Sequence, residues 1–334
     1  MANKRAKKKP AKKRESRRKA SSKGGQSHWL RNGFVLLLIA ALVLGGIYYF
    51  GTFETRAQME RVALSTINSP RTHAATPAPV AQVLDSFYDV IPSSEGLVVE
   101  GGELGRDPDS PLIAGMPHSR EPLRPLLQPS YINLFNERNQ QASCIAIRLD
   151  DTPRQKAEAS EALQVDARMP RLTAQAITLG QWQPFPVAPP EALIGQYGDR
   201  GAKDAQLATN HAPMSEAYAN GPWKKAMREL TLRYPNRFDE VWIYLGPVYR
   251  TDSSKLASGI VIPEAFYAIA LDLTKEGGLR ALALLIPTEA GSENLNDYLT
   301  SISQIEKLTG LQFLPELDFS LRDTLGNYVS PSVW

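Results

Sequence analysis

The side chains best suited to chemistry fall between Asn210 and Arg228 of this 334-residue chain. His211 stands beside Asn210, and a neutral imidazole is the one side chain whose ordinary pKa lets it take a proton near pH 7. Downstream, Glu216 and Asn220 offer oxygen atoms of the kind a hard divalent cation accepts. Lys224, Lys225 and Arg228 follow as a row of cations able to line a phosphate path, although such rows are more commonly a solvated helix face. Histidine is scarce, with His28, His73 and His118 the others, and there is no paired HxxxH, so a His-rich metal site is excluded. Cys144 is alone, which removes any intrachain disulfide and any CxxC chemistry.

These residues need elements to hold them. Trp223, Met227, Leu230 and Tyr234 recur at helical spacing and predict a helix whose charged residues point elsewhere, bracketed by Pro222 and Pro235. Upstream, Tyr131–Phe135 and Ser143–Leu149 read as a hairpin around Asn136–Asn139. A polar insertion (150–165) and a Pro-rich loop (183–190) come next. Val241–Leu245 reads as a strand closed by Gly246-Pro247. Ala265–Leu273 and Leu279–Ile286 read as strands joined through Gly277-Gly278. Helical segments are expected at 294–301 and 302–308, before Gly310. Strands interrupted by helices without βαβ alternation imply an α+β domain over 111–334. No element is assigned to 83–125, and no internal repeat is visible.

Charge divides the chain. Residues 1–32 hold 13 Lys and Arg against Glu15 alone, leaving 25 basic and 34 acidic residues in 33–334, a net −9. The tail is too charged to bury a core and reads as disordered. Residues 33–53 carry no charged side chain, and at 1.5 Å per residue such a run spans about 30 Å, the thickness of a bilayer's hydrocarbon core. Trp29 precedes it and Tyr48, Tyr49, Phe50 and Phe53 crowd its far end, where interfacial aromatics belong. A signal peptide is the rival reading, but the run is long and lacks a small-x-small cleavage site. The expectation is one transmembrane helix with the tail cytoplasmic, a Pro/Ala/Thr-rich stalk over 54–110, and an exported domain, periplasmic at a bacterial inner membrane. The tail is expected to attract anionic lipid. Nucleic-acid binding and a merely solvated charge run are its alternatives. An exported part at −9 lacks the overall charge of a tight nucleic-acid binder.

Across residues 111–315 the order of segments resembles the DNA/RNA non-specific endonuclease family, the ββα-metal nucleases that include endonuclease G. The segments are YINLFNERNQQASCIAIRLD, ATNHAPM, NGPWKKAMRELTLRYP, EVWIYLGPVY, FYAIALDL, RALALLIP and ISQIEKLTGLQF. The resemblance implies a mixed sheet with helices. It also implies a DRGH histidine that deprotonates water, and one Mg²⁺ held by an asparagine and otherwise by water. Asn210 matches the supporting asparagine of Thr-Asn-x-x-Pro. The histidine is missing in either of two registers. Asp199-Arg200-Gly201 is followed by Ala202, whereas WQPFPVAPPEALIGQYG, anchored on Ala188-Pro189, puts Pro186 in its place. The metal asparagine falls on Ala219, one residue before Asn220, and the family's glutamate on Met227. The resemblance therefore implies a pseudo-nuclease that binds nucleic acid or a protein. The alternatives are an Mg²⁺-dependent enzyme with relocated residues, His211 and Asn220 foremost, and a structural envelope protein. A cofactor is expected only if the enzyme is active.

Overall fold

The computed structural model describes residues 39–51, scattered positions between 55 and 83, and residues 97–101, 110–158, 162–274, 277–292 and 294–334. The basic tail (1–32), the first six residues of the expected membrane span and most of the expected stalk lie outside the described residues. Two compact units divide between Phe50 and Gly51. In the first, residues 39–50 are helical, with Leu42 74%, Tyr49 73% and Phe50 85% exposed, so apolar side chains cover its surface. Among the described residues no helix is long and apolar enough to cross a membrane.

The second unit is built on an antiparallel sheet. Its strands are β1 (Val99–Glu100), β3 (Arg124–Leu127), β4 (Ile132–Asn136), β5 (Gln141–Asp150), β8 (Glu240–Val248), β9 (Ala265–Leu273) and β10 (Gly278–Pro287). They run in the order β1-β10-β9-β8-β5-β4-β3, with β11 (Leu299–Thr300) also on β10. Two ribbons stand apart: β2 (His118–Ser119) with β12 (Leu311–Gln312), and β6 (Trp182–Pro186) with β7 (His211–Ser215).

The continuous apolar runs arise because both faces of the sheet are covered. Side chains alternate along a strand. Ile145, Ile147, Val241, Ile243, Phe266, Ala268, Leu282 and Leu284 therefore enter one core, with Trp223, Met227, Leu230 and Tyr234. Their neighbours Cys144, Ala146, Trp242, Tyr244, Tyr267, Ile269, Ala281 and Ala283 enter a second core, with Ile302, Ile305, Phe313 and Leu325. The result is three layers, as an α+β reading requires.

The β4–β5 hairpin forms as expected, its turn fixed by the Asn136 side chain accepting from the N–H groups of Arg138 (2.9 Å) and Asn139 (3.0 Å). Four expectations need correction. Gly246-Pro247 does not close β8, which continues to Val248, because β5 pairing stops at Leu245 and a proline on that free side forfeits no bond. Gly246 is needed there: a Cβ would strike the Ser143 carbonyl and the Tyr267 ring, whose hydroxyl donates to Ser143 O at 2.8 Å. The Pro-rich loop is partly strand. Val187 N–H donates to Asn210 O (2.7 Å), which makes Pro186↔His211 a non-hydrogen-bonded pair, and two-residue alternation gives Pro184↔Pro213 the same status. Neither strand then misses the N–H its prolines lack.

The third correction concerns Pro235. Helical backbone runs through Lys224–Arg228, Glu229–Arg233 and Tyr234–Phe238, together α3 below, and ends only at Asp239. A wide turn precedes the proline, with Tyr234 N–H bonded to Glu229 O five residues back, so the helix passes Pro235 without an ordinary i→i−4 bond there. Finally, 294–301 is not a helix but a short 3₁₀ turn (Leu295–Tyr298) and β11. Ser301 instead caps the next helix, Ile302–Thr309, accepting from Gln304 N–H at 3.2 Å. Gly310, at φ 72°, ends that helix in the left-handed region. The helix Phe319–Asn327 had no expectation attached to it.

Candidate functional site

One cavity of about 450 Å³ lies between the end of β6, the start of α1 (Pro190–Tyr197) and the opening turns of α3. That volume suits a small molecule. Phe185, Pro186, Pro189 and Glu191 form one wall, and Ala219, Trp223, Met227 and Thr231 the other, with Asn220, Lys224 and Arg228 also lining it. Pro186, Ala219 and Met227 are thus neighbours around one space, although 41 residues of sequence separate the outer two.

The wall is held by Asn210. This residue is fully buried, and its amide works in both directions: Oδ1 accepts from Ala188 N–H, while Nδ2 donates to Ala188 O and Ala205 O, each at 3.0 Å. That clamp fixes the chain leaving β6, and so the position of Pro186 and Pro189. Behind it Asp204, at the end of α2 (Asp199–Ala205), accepts from Ser130 N–H (3.1 Å) and Oγ (2.7 Å). Burial holds the Asp204 carboxyl above the usual carboxylate range. Asp166 pairs with Arg168 (2.7 Å) and accepts from Thr209 Oγ1 (3.1 Å), and Thr209 O accepts from Asn133 Nδ2 (2.8 Å). This buried polar network anchors 204–210 to β4 and to the loop before β6.

The remaining candidates are scattered. Ala202 sits buried within α2 and does not line the cavity, so the structure brings together the residues of the Pro186 register and not those of the Asp199-Arg200-Gly201 register. His211 is buried away from the cavity lining. Its Nδ1 is 2.9 Å from Leu207 O, an acceptor only, so Nδ1 carries the proton. Burial lowers its pKa to about 4, which leaves a neutral ring with little basicity. Glu216 and Lys225 are exposed and outside the cavity, whereas Lys224, Arg228 and Asn220 border it. Sequence reasoning missed Glu191 and the Phe185–Pro190 wall, because only the fold brings that Pro-rich segment against α3.

Ala219, where the resemblance puts the metal asparagine, offers a cation no side-chain oxygen. Asn220 and Glu191 bring side-chain oxygens from opposite walls, and Thr231 Oγ1 donates to Met227 O at 2.7 Å. Two cations share the rim, and among the described residues no three His, Cys, Asp or Glu side chains gather to hold a metal.

The family model for DNA/RNA non-specific endonucleases matches residues 117–320, more than half of the chain. The chain belongs to the DNA/RNA non-specific endonuclease family. Among curated proteins this endonuclease-family chain is similar to the mitochondrial nuclease EXOG of Homo sapiens, 27% identical over 142 residues (37% of this chain, 38% of that protein). It is likewise similar to mitochondrial nuclease EXOG of Mus musculus, 29% identical over 131 residues (34% of each). The matched region spans little more than a third of these relatives. The matched 117–320 region contains β6, β7, α1 to α3 and the whole cavity, so the cavity belongs to the endonuclease domain itself.

Proposed function

We propose that this protein is a membrane-anchored, extracytoplasmic member of the endonuclease family that has lost hydrolytic activity and retains a binding role. One observation carries the reading. The positions that the resemblance assigns to the base, the metal ligand and the supporting glutamate converge on one cavity, and they are Pro186, Ala219 and Met227. None supplies a proton acceptor or a cation ligand near pH 7. The placement of His211 argues against relocated catalysis, since it lies outside the cavity lining and its buried ring is a poor base. Anchoring and export rest on the charge-free run at 33–53 and on the basic tail before it.

The test is plasmid and RNA degradation by the purified full chain with and without Mg²⁺, beside the triple variant Pro186→His, Ala219→Asn, Met227→Glu. The unmodified chain is expected to be inert. The variant restores a base and an electrostatic stabiliser to one cavity, and either alone typically contributes ~10²–10⁴-fold. Position 186 accepts the change because its pair with His211 is non-hydrogen-bonded and the residue is half-buried. A control with Ala202→His in place of Pro186→His should stay inert, since residue 202 is outside the cavity. Cleavage by the unmodified chain, abolished by His211→Ala, would establish the relocated-site enzyme instead.

A further inference from the structure

An asparagine amide stays intact only while the next backbone nitrogen is kept from it. Among the described residues every asparagine side chain except those of Asn139 and Asn220 is held in a hydrogen bond, the Asn210 clamp being one case. Asn139 is half-buried and followed by Gln140. Asn220 is exposed, lines the cavity, and is followed by Gly221, which has no Cβ to shield its nitrogen. The backbone leaves the helix at this point. Ala219 and Trp223 have helical φ/ψ, but Gly221 between them sits at φ −99°, ψ −113°, because the ring of Pro222 turns the preceding residue away from helical ψ. A Cβ built on Gly221 would meet nothing within 4 Å, so a ring has room to close there. We propose that Asn220 is a self-modification site, its side-chain amide converting to aspartate or isoaspartate by attack of the Gly221 nitrogen.

The Gly221 nitrogen bonds to the Asn220 Cγ, and the Cγ–Nδ2 bond breaks. Nδ2 leaves as ammonia, taking up the proton that the Gly221 nitrogen gives up. Water, the only co-reactant, then opens the cyclic imide. Opening at Cγ leaves aspartate. Opening at the backbone carbonyl leaves isoaspartate, in which the chain runs through Cβ and Cγ and is one methylene longer just ahead of α3. The charged side chains lining the cavity are Lys224 and Arg228 against Glu191, and a carboxylate at position 220 balances that set. The modification is thus a one-way change in the charge of the cavity wall, and it is independent of whether the cavity cleaves nucleic acid.

The test incubates the folded full chain in non-ionic detergent, in mildly acidic and mildly alkaline buffer. Position 220 is followed by peptide mass spectrometry, with isoaspartyl methyltransferase labelling as a second readout. Asn32-Gly33 carries the same dipeptide and calibrates the effect of sequence, while the chain unfolded in urea calibrates the effect of the fold. Conversion at 220 is expected in the folded chain, ahead of Asn139, and faster in alkali because the attacking nitrogen must lose its proton. Hydroxylamine, which traps the imide, should cut the folded chain after residue 220. Gly221→Ala should slow conversion about tenfold, since a Cβ beside the nitrogen displaces the reacting atoms and small displacements cost up to ~10²-fold. Asn220→Gln, which keeps an amide but needs a larger ring, should abolish it. Should Gly221→Ala fail to fold, the comparison of the unmodified chain with Asn220→Gln still decides the matter. An amide retained at 220 in the folded chain while Asn32 converts, or conversion at 220 only after unfolding in urea, would overturn the proposal. Cleavage of DNA or RNA by the unmodified chain would sink the functional reading and leave this one standing.

Discussion

At the scale of single residues, the chain shows how neighbours in sequence separate in role. Asn210 and His211 are adjacent, yet the first clamps the backbone of Ala188 and Ala205 and the second turns its ring to Leu207 O. Asn210 ends the turn before β7 and His211 opens the strand, so the two side chains leave the backbone in different local geometries. That is why the missing groups at Pro186, Ala219 and Met227 were legible by register while the burial of His211 was not. The burial has a consequence for stability. Because the folded pKa is lowered to about 4 from an ordinary 6.5, the unfolded chain binds a proton first as pH falls. The stabilisation is fully present above about pH 6.5 and is lost as pH drops toward 4. At 1.36 kcal/mol per pKa unit it amounts to about 3 kcal/mol at most. Urea unfolding of the wild type and His211→Gln at pH 7 and pH 4.5 isolates this residue, since other titrating groups are common to both. The gap in stability between the two pH values should be smaller by ~2 kcal/mol or more in the variant. Equal gaps would show that His211 is not buried in its neutral form.

At the scale of elements, the helix foreseen from Trp223, Met227, Leu230 and Tyr234 is the joint between cavity and core. Trp223 packs on Phe266 of β9 (ring centroids 5.3 Å) and beside Tyr218 (6.3 Å), while its other side lines the cavity. Replacing it by alanine removes an aromatic from a packed interior, a change that typically costs ~3–5 kcal/mol. Chemical denaturation should show that loss, and a change below ~1 kcal/mol would mean that the stripe does not carry packing. Long β5, β8, β9 and β10 and this helix were legible because each has a full period of apolar residues facing a packed layer. The strand in 182–186, the turn at 295–298 and the continuation through Pro235 were not. Prolines at non-hydrogen-bonded pairs, a serine cap at the last residue of a supposed helix, and a widened turn are tertiary accommodations that local propensity opposes.

At the scale of the whole molecule, the two compact units differ in what covers their apolar residues. In the second, sheet and helices bury each other's side chains. In the first, the helix at 39–50 exposes Leu42, Tyr49 and Phe50, with no protein layer over them among the described residues of that unit. Such a surface is stable only against lipid or another apolar body. The charge divide adds a direction: 13 Lys and Arg lie before residue 33, while only Glu54 and Arg56 closely follow residue 53. By the positive-inside rule the domain should then be exported. Cys144 is a poor reporter of this topology, because it is buried and its thiol pKa is pushed up to about 12 by burial. A fusion after Trp334 needs a flexible linker, since the Trp334 ring is buried against Tyr234 (5.6 Å) and the Trp334 backbone N–H donates to the Tyr234 hydroxyl at 2.9 Å. With that linker, an alkaline phosphatase fusion expressed in a bacterium should be active and a β-galactosidase fusion inactive. Exchanging the 13 basic residues for Ser and Gln should lower phosphatase activity, because orientation then loses its electrostatic bias. Activity of β-galactosidase alone would place the domain in the cytoplasm and remove the export from the proposed function, while leaving the cavity and its loss of catalytic groups untouched.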